Sequence, residues 1–112
     1  MNYDKITKTA KISEFEKQVK PADYPSVFTE NEIDRYATKK SKGSLTARYL
    51  LKKEIIKTLN LHQTFTDIEI VNNNTGKPVL QFINLPGKNL PSISFSISHT
   101  KKEVAIMLVI EK

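Results

Sequence analysis

Ser98-His99-Thr100 sets an imidazole between two hydroxyls, directly after a run that alternates serine with large apolar residues, SISFSIS (92–98). At a strand end such a triplet can hydrogen-bond phosphate oxygens or move a proton. The same composition also suits a plain turn at the rim of a sheet. Lys53 and Lys57 stand four residues apart, one helical turn, with Arg48 and Lys52 nearby. Together they can hold a phosphate or diphosphate, or form an ordinary solvated helix face. His62 reads as a helix-end residue. The carboxylates on offer to a hard cation are Asp4, Glu54, Asp67 and Glu69, and none has metal-motif spacing. Three glycines leave no phosphate-cradling loop, and no serine lies in a nucleophile elbow. With no cysteine, thiolate chemistry, zinc–cysteine sites and disulfides are excluded.

The elements that must position these groups follow from periodicity. Residues 5–20 read as a basic amphipathic first helix, with Ile6, Ile12, Phe15 and Val19 unevenly spaced among Lys5, Lys8, Lys11, Lys17 and Lys20. Thr29 with Glu32 forms a capping-box pattern, so a short helix starts near Glu30 and holds Ile33 and Tyr36. Ser44 caps a long helix over roughly 45–59. Leu45, Tyr49, Leu51, Ile55, Ile56 and Leu59 share its apolar face, and Glu54 points away from the core. DIEIV (67–71) and VLQFI (79–83) read as strands joined by a turn over 72–78, where Gly76 can take positive φ. After the loop LPGKNLPS comes the serine strand. VAIMLVI (104–110) is apolar on both faces and reads as an interior strand. The fold class is α+β, with N-terminal helices packed on a small antiparallel sheet.

The chain has 112 residues, which fits one domain (1–112), and a net charge of +6 that attracts polyanions. No apolar segment marks a secretory leader and no run approaches the ~20 residues needed to cross a bilayer, so the expected compartment is the cytoplasm, with no membrane partner. A nucleic-acid surface would need stacking aromatics along a basic stripe. The strands carry no such ladder, so no nucleic-acid partner is expected.

VFTENE, SLTARYLLKKEIIKTL, DIEIVNNNTGKPVL and ISFSISHTKKEVAIMLVIE occur in an order and spacing that resembles the holo-(acyl-carrier-protein) synthases, the small trimeric branch of the 4′-phosphopantetheinyl transferases. The resemblance covers roughly residues 27–111. It implies a homotrimer of lipid metabolism that moves the phosphopantetheine arm of coenzyme A to a serine of an acidic acyl carrier protein. It implies Mg²⁺ at the CoA diphosphate and an active site between subunits. By position, His99 with Ser98 and Thr100 corresponds to the family's CoA-contacting motif, and Arg48 to the arginine before the aromatic residue. Lys57 corresponds to the lysine one turn after the metal-binding glutamate, and the basic first helix with Lys5, Lys8 and Lys11 to the carrier-docking element. The serine face of 92–98 would then stay small because another subunit or the cofactor packs on it.

Two departures concern the metal. The family's Gly-x-Asp is replaced by MNYDKI, leaving Asp4 as the candidate ligand. Gapless alignment of Arg48-Tyr49 and Lys57 puts Lys53 at the glutamate position and Glu54 about 100° round the helix. Either Glu54 reaches the ion through a one-residue π-bulge, serving as metal ligand and catalytic carboxylate, or Lys53 neutralises the diphosphate as a point charge. An alternative from another class is a degenerate homologue that binds CoA or carrier protein without catalysis.

Overall fold

The computed structural model describes residues 3–39, 42–59, 65–83 and 92–111. His62 and most of the loop before the serine strand lie outside them. The chain opens on a strand, β1 (Tyr3–Lys11), and not on a helix; only Ile12–Gln18 is helical (α1). Ile6 and Ala10 turn inward while Lys5, Thr7 and Thr9 stay exposed, an alternation of period two. The uneven helical spacing of the apolar residues in 5–20 is the trace of this switch from period 2 to period 3.6. The whole of β1 pairs antiparallel with β5 (Glu103–Glu111), from Tyr3 opposite Glu111 to Lys11 opposite Glu103.

Short helical segments follow: a 3-10 turn at Pro21–Asp23, one turn of helix α2 (Tyr24–Val27), and α3 (Glu30–Tyr36). The capping box forms as expected, with Thr29 N donating to Glu32 Oε1 at 2.9 Å and Glu32 N donating to Thr29 Oγ1 at 3.3 Å. The long helix α4 (Gly43–Leu59) starts one residue before Ser44, which therefore sits inside its first turn and does not cap it. A hairpin follows, β2 (Ile68–Asn72) with β3 (Pro78–Phe82), and Gly76 takes φ +86° in its turn. Asn73 Oδ1 organises that turn by accepting from Thr75 N and Lys77 N, both at 3.0 Å.

β4 (Ser92–His99) pairs with β5, so the larger sheet runs β1-β5-β4 with the doubly apolar strand in its centre. The inner face of this sheet packs on α4. Leu51 and Ile55 of the helix meet Val104, Ile106, Leu108 and Ile110 of β5 and Ile68 and Ile70 of β2, all nearly inaccessible. Ile93, Phe95 and Ile97 pack on the edge of this core, and Ser92, Ser94, Ser96 and Ser98 face outward. A second cluster, including Phe15, Phe28, Tyr36 and Leu45, fixes the short helices to the start of α4. No helix among the described residues is long and apolar enough to cross a membrane.

Candidate active site

His99 is the last residue of β4, exposed at the rim of the sheet and paired in register with Val104. Ser98 is exposed on the outer face, opposite Ala105. The hydroxyl of Thr100 is used within the turn: it accepts from Lys102 N at 3.2 Å and Glu103 N at 3.1 Å. Those bonds hold the chain reversal directly behind the imidazole, so Thr100 shapes the rim while His99 and Ser98 present free polar atoms. Lys102 O accepts from Ile12 N at 2.8 Å, which ties this turn to the start of α1.

Helix α4 carries the cations in two sets. Lys53 and Lys57 are exposed. The Lys53 ammonium lies 6.0 Å from the centre of the Tyr49 ring. It also borders a groove of about 340 Å³ between α4, α1 and the end of β1, where Lys11 and Glu14 are the other charged residues. Arg48 and Lys52 point the opposite way and are buried. Arg48 therefore does not stand at a cofactor surface: at 3% exposure it is a structural residue. It donates from Nε to Ile70 O at 2.5 Å and from Nη2 to Asn72 Oδ1 at 3.2 Å, and its guanidinium stacks 3.8 Å over the Tyr36 ring. Burial pushes its pKa down from the usual range, while Tyr36 and Glu32 oppose that shift. Arg48→Met is expected to lower the unfolding free energy by about 2–3 kcal/mol, because the Ile70 carbonyl loses its charged donor. Urea denaturation reads the loss, and affinity for an anionic ligand stays as it was.

Lys52 is completely buried and paired with the equally buried Glu32, Nζ to Oε1 at 2.6 Å. Its ammonium also donates to Val27 O at 2.9 Å. Glu32 Oε2 accepts from Ile70 N at 2.8 Å, and Glu69 Oε1 accepts from Thr29 Oγ1 at 2.6 Å. One carboxylate thus joins α3, α4 and β2. Desolvation lowers the Lys52 pKa, and Glu32 holds it up. In the sequence Glu32 stands out only as half of a capping box, and Lys52 only as part of a cationic cluster. The available signal was position: Leu45, Arg48, Lys52 and Ile55 form one i, i+3, i+4 stripe, and two cations on an apolar stripe must be paired.

Glu54 does not point away from the core; it is 7% exposed, beside fully buried Ile55. Asp4 shares the inward-facing side of β1 with Ile6 and Ala10 and is partly exposed. Among the described residues no three histidine or carboxylate groups converge on a cation position. A magnesium site needs accessible oxygen donors with room for phosphates and water. On α4 the expected donor, Glu54, is turned inward and the exposed position before it is Lys53, so the helix does not offer the oxygen ligand that such a site calls for.

Comparison with known proteins fits this architecture. The family model for the N-terminal region of 4′-phosphopantetheinyl transferases matches residues 26–109. The holo-(acyl-carrier-protein) synthase of Mycoplasma mycoides is 41% identical over 81 residues, covering 68% of this chain and 66% of that one, so the chain spans about two thirds of that relative. The synthase of Listeria monocytogenes is 30% identical over 92 residues, covering 76% of this chain and 75% of its own. Among solved structures, the Bacillus anthracis synthase in complex with CoA (3′,5′-ADP) superposes with a TM-score of 0.77 at 23% identity, covering 96% of this chain and 94% of that chain. The Helicobacter pylori synthase in complex with coenzyme A gives 0.74 at 22% identity, covering 96% and 100%. The fold is theirs, and with the family match across most of its length the chain is a member of the 4′-phosphopantetheinyl transferase family, with the holo-(acyl-carrier-protein) synthases among its relatives.

Proposed function

We infer that this protein transfers the 4′-phosphopantetheine group of coenzyme A to a serine hydroxyl of an apo acyl carrier protein. The carrying observation is the sequence kinship with holo-(acyl-carrier-protein) synthases, beside a match to the transferase family over residues 26–109, a span that holds both α4 and the β4–β5 turn. In the reaction the serine oxygen bonds to the β-phosphorus of CoA. The bridging P–O bond breaks, 3′,5′-ADP leaves, and the serine proton passes to a base or to water. Such chemistry depends on positioning and charge neutralisation. The exposed His99 and Ser98 suit the nucleotide phosphates, and Lys57 suits the transferring group.

Homotrimer assembly is supported by the uncovered outer face of the large sheet. Met107 there is 40% exposed and Tyr3 61% exposed, beside the small residues Ser94, Ser96, Ser98, Thr7 and Thr9. A face this flat and small-featured suits close approach of a second copy, and a site completed between copies brings together a rim histidine and helix lysines that one chain keeps on separate layers. The exposed lysines of β1 and α1, Lys5, Lys8, Lys11 and Lys17, form a basic edge suited to an acidic carrier. A cytoplasmic setting agrees with a CoA substrate.

Incubation with CoA and apo carrier tests the reading: the carrier gains the mass of one phosphopantetheine group, and CoA is converted to 3′,5′-ADP. The inward turn of Glu54 favours one second reading, a homologue that binds CoA or carrier without transfer. Binding with no mass gain, with and without Mg²⁺, would establish it.

A further inference from the structure

We propose that the buried Glu32–Lys52 pair locks α4 in the rotation that turns the Lys53 ammonium outward, so that the chain neutralises its diphosphate ligand with lysines and binds it without a divalent cation. This rests on the CoA reading above and specifies how the site works.

The helix is pinned twice on one stripe. Lys52 bonds to Glu32 and Val27 O, and Arg48, one turn earlier, bonds to Ile70 O and Asn72. Two charged anchors a turn apart fix both the rotation and the axial position of the helix. Moving Glu54 into the place of Lys53 requires a slip of one residue. Lys53 would then take the place of Lys52 beside Glu32, but Lys52 would enter the core slot of Leu51, where it has no partner, and Tyr49 would replace Arg48 against Ile70 O. Both changes strand buried polar groups. A local bulge would avoid the slip, but α4 is regular α-helix from Gly43 to Leu59. The outward position therefore belongs to Lys53.

Lys57 follows one turn later on the same exposed side. Two ammonium groups carry the same total charge as one divalent cation, and each is a compact point charge on a flexible stem. Carboxylates are the ligands a hard cation would need, and Glu54 is turned inward. Glu14 is the one acidic residue lining the groove beside Lys53, where Lys11 offsets it.

Calorimetric titration of the full chain with CoA, in EDTA and in excess MgCl₂, tests this. Equal affinity in both buffers, within about twofold, is expected. Lys53→Gln should weaken binding at least tenfold, the worth of about one charged hydrogen bond. Lys53→Glu should abolish binding in EDTA and regain part of it in MgCl₂, because a carboxylate at that position creates a place for the ion. Lys53 is exposed, so these variants fold; circular dichroism confirms it. Binding that appears only with Mg²⁺ and vanishes in Glu54→Gln overturns the proposal while leaving the CoA reading intact. Metal-insensitive binding unaffected by Lys53→Gln also overturns it. No CoA binding in either buffer overturns both.

Discussion

Glu32→Gln is expected to lower the unfolding free energy by about 3–5 kcal/mol, the usual cost of removing one partner from a buried ion pair. The substitution keeps the volume and takes away the charge that compensates Lys52. It also turns an amide N–H₂ toward one of three donors that the carboxylate now satisfies: Thr29 N, Ile70 N and Lys52 Nζ. Against the ~5–15 kcal/mol total of an ordinary domain, such a loss leaves a marginal protein. Glu30→Gln, two residues away and exposed, should change stability by no more than ~0.5 kcal/mol. The deficit should also depend on pH, with a definite sign. The folded-state pKa of Lys52 is lowered by desolvation from 10.5, and losing Glu32 lowers it further. Between that lowered value and 10.5 the unfolded chain binds more protons than the folded one, so stability contributed by this group rises with pH across the window. Urea melts of both proteins from neutral pH upward should therefore show the gap narrowing. A gap that is constant or widens would mean that Lys52 does not carry the penalty.

The elements legible in the sequence were those with one clear period. β4 alternates cleanly, β5 is apolar on both faces, and the β2–β3 hairpin is bounded by a turn with a glycine at positive φ; each is found where its pattern places it. β1 was illegible because its lysines and two short inward residues lack the apolar weight of a strand, and its pairing with β5 comes from the other end of the chain. Nothing local announces a partner about a hundred residues away. The candidate site divides in the same manner. The exposed rim position of His99 and Ser98 follows from the end of an alternating run, and the shared exposed side of Lys53 and Lys57 from helical spacing. Which α4 cations face inward depends on Glu32 and Ile70, supplied by α3 and β2. Their charge groups Arg48 and Lys52 with the surface lysines, but helical spacing puts them on the apolar stripe, and charge compensation across three elements holds them inside.

Lys57→Ala should reduce kcat/KM for carrier modification by about 10²–10³-fold, the range seen when one pre-positioned electrostatic donor is removed from a transition state. The loss should fall mainly on kcat. Negative charge shifts toward the leaving phosphate as the bridging P–O bond breaks, and a point charge on a flexible stem can follow it. On the proposal above both lysines offset the bound diphosphate; if Lys53 serves that ground state alone, its removal should raise KM for CoA and leave more of kcat. Lys57 is exposed and has no bond to the core, so the alanine variant should unfold at the wild-type denaturant midpoint. Lys57→Arg should recover part of kcat, since the charge returns on a planar, less adaptable group. A Lys57→Ala enzyme with normal kcat and raised KM would assign this residue to ground-state binding and leave the transition state to another cation. If kcat, KM and stability all stay unchanged, Lys57 takes no part in phosphoryl transfer, and the neutralising charge must come from Lys53 or another cation.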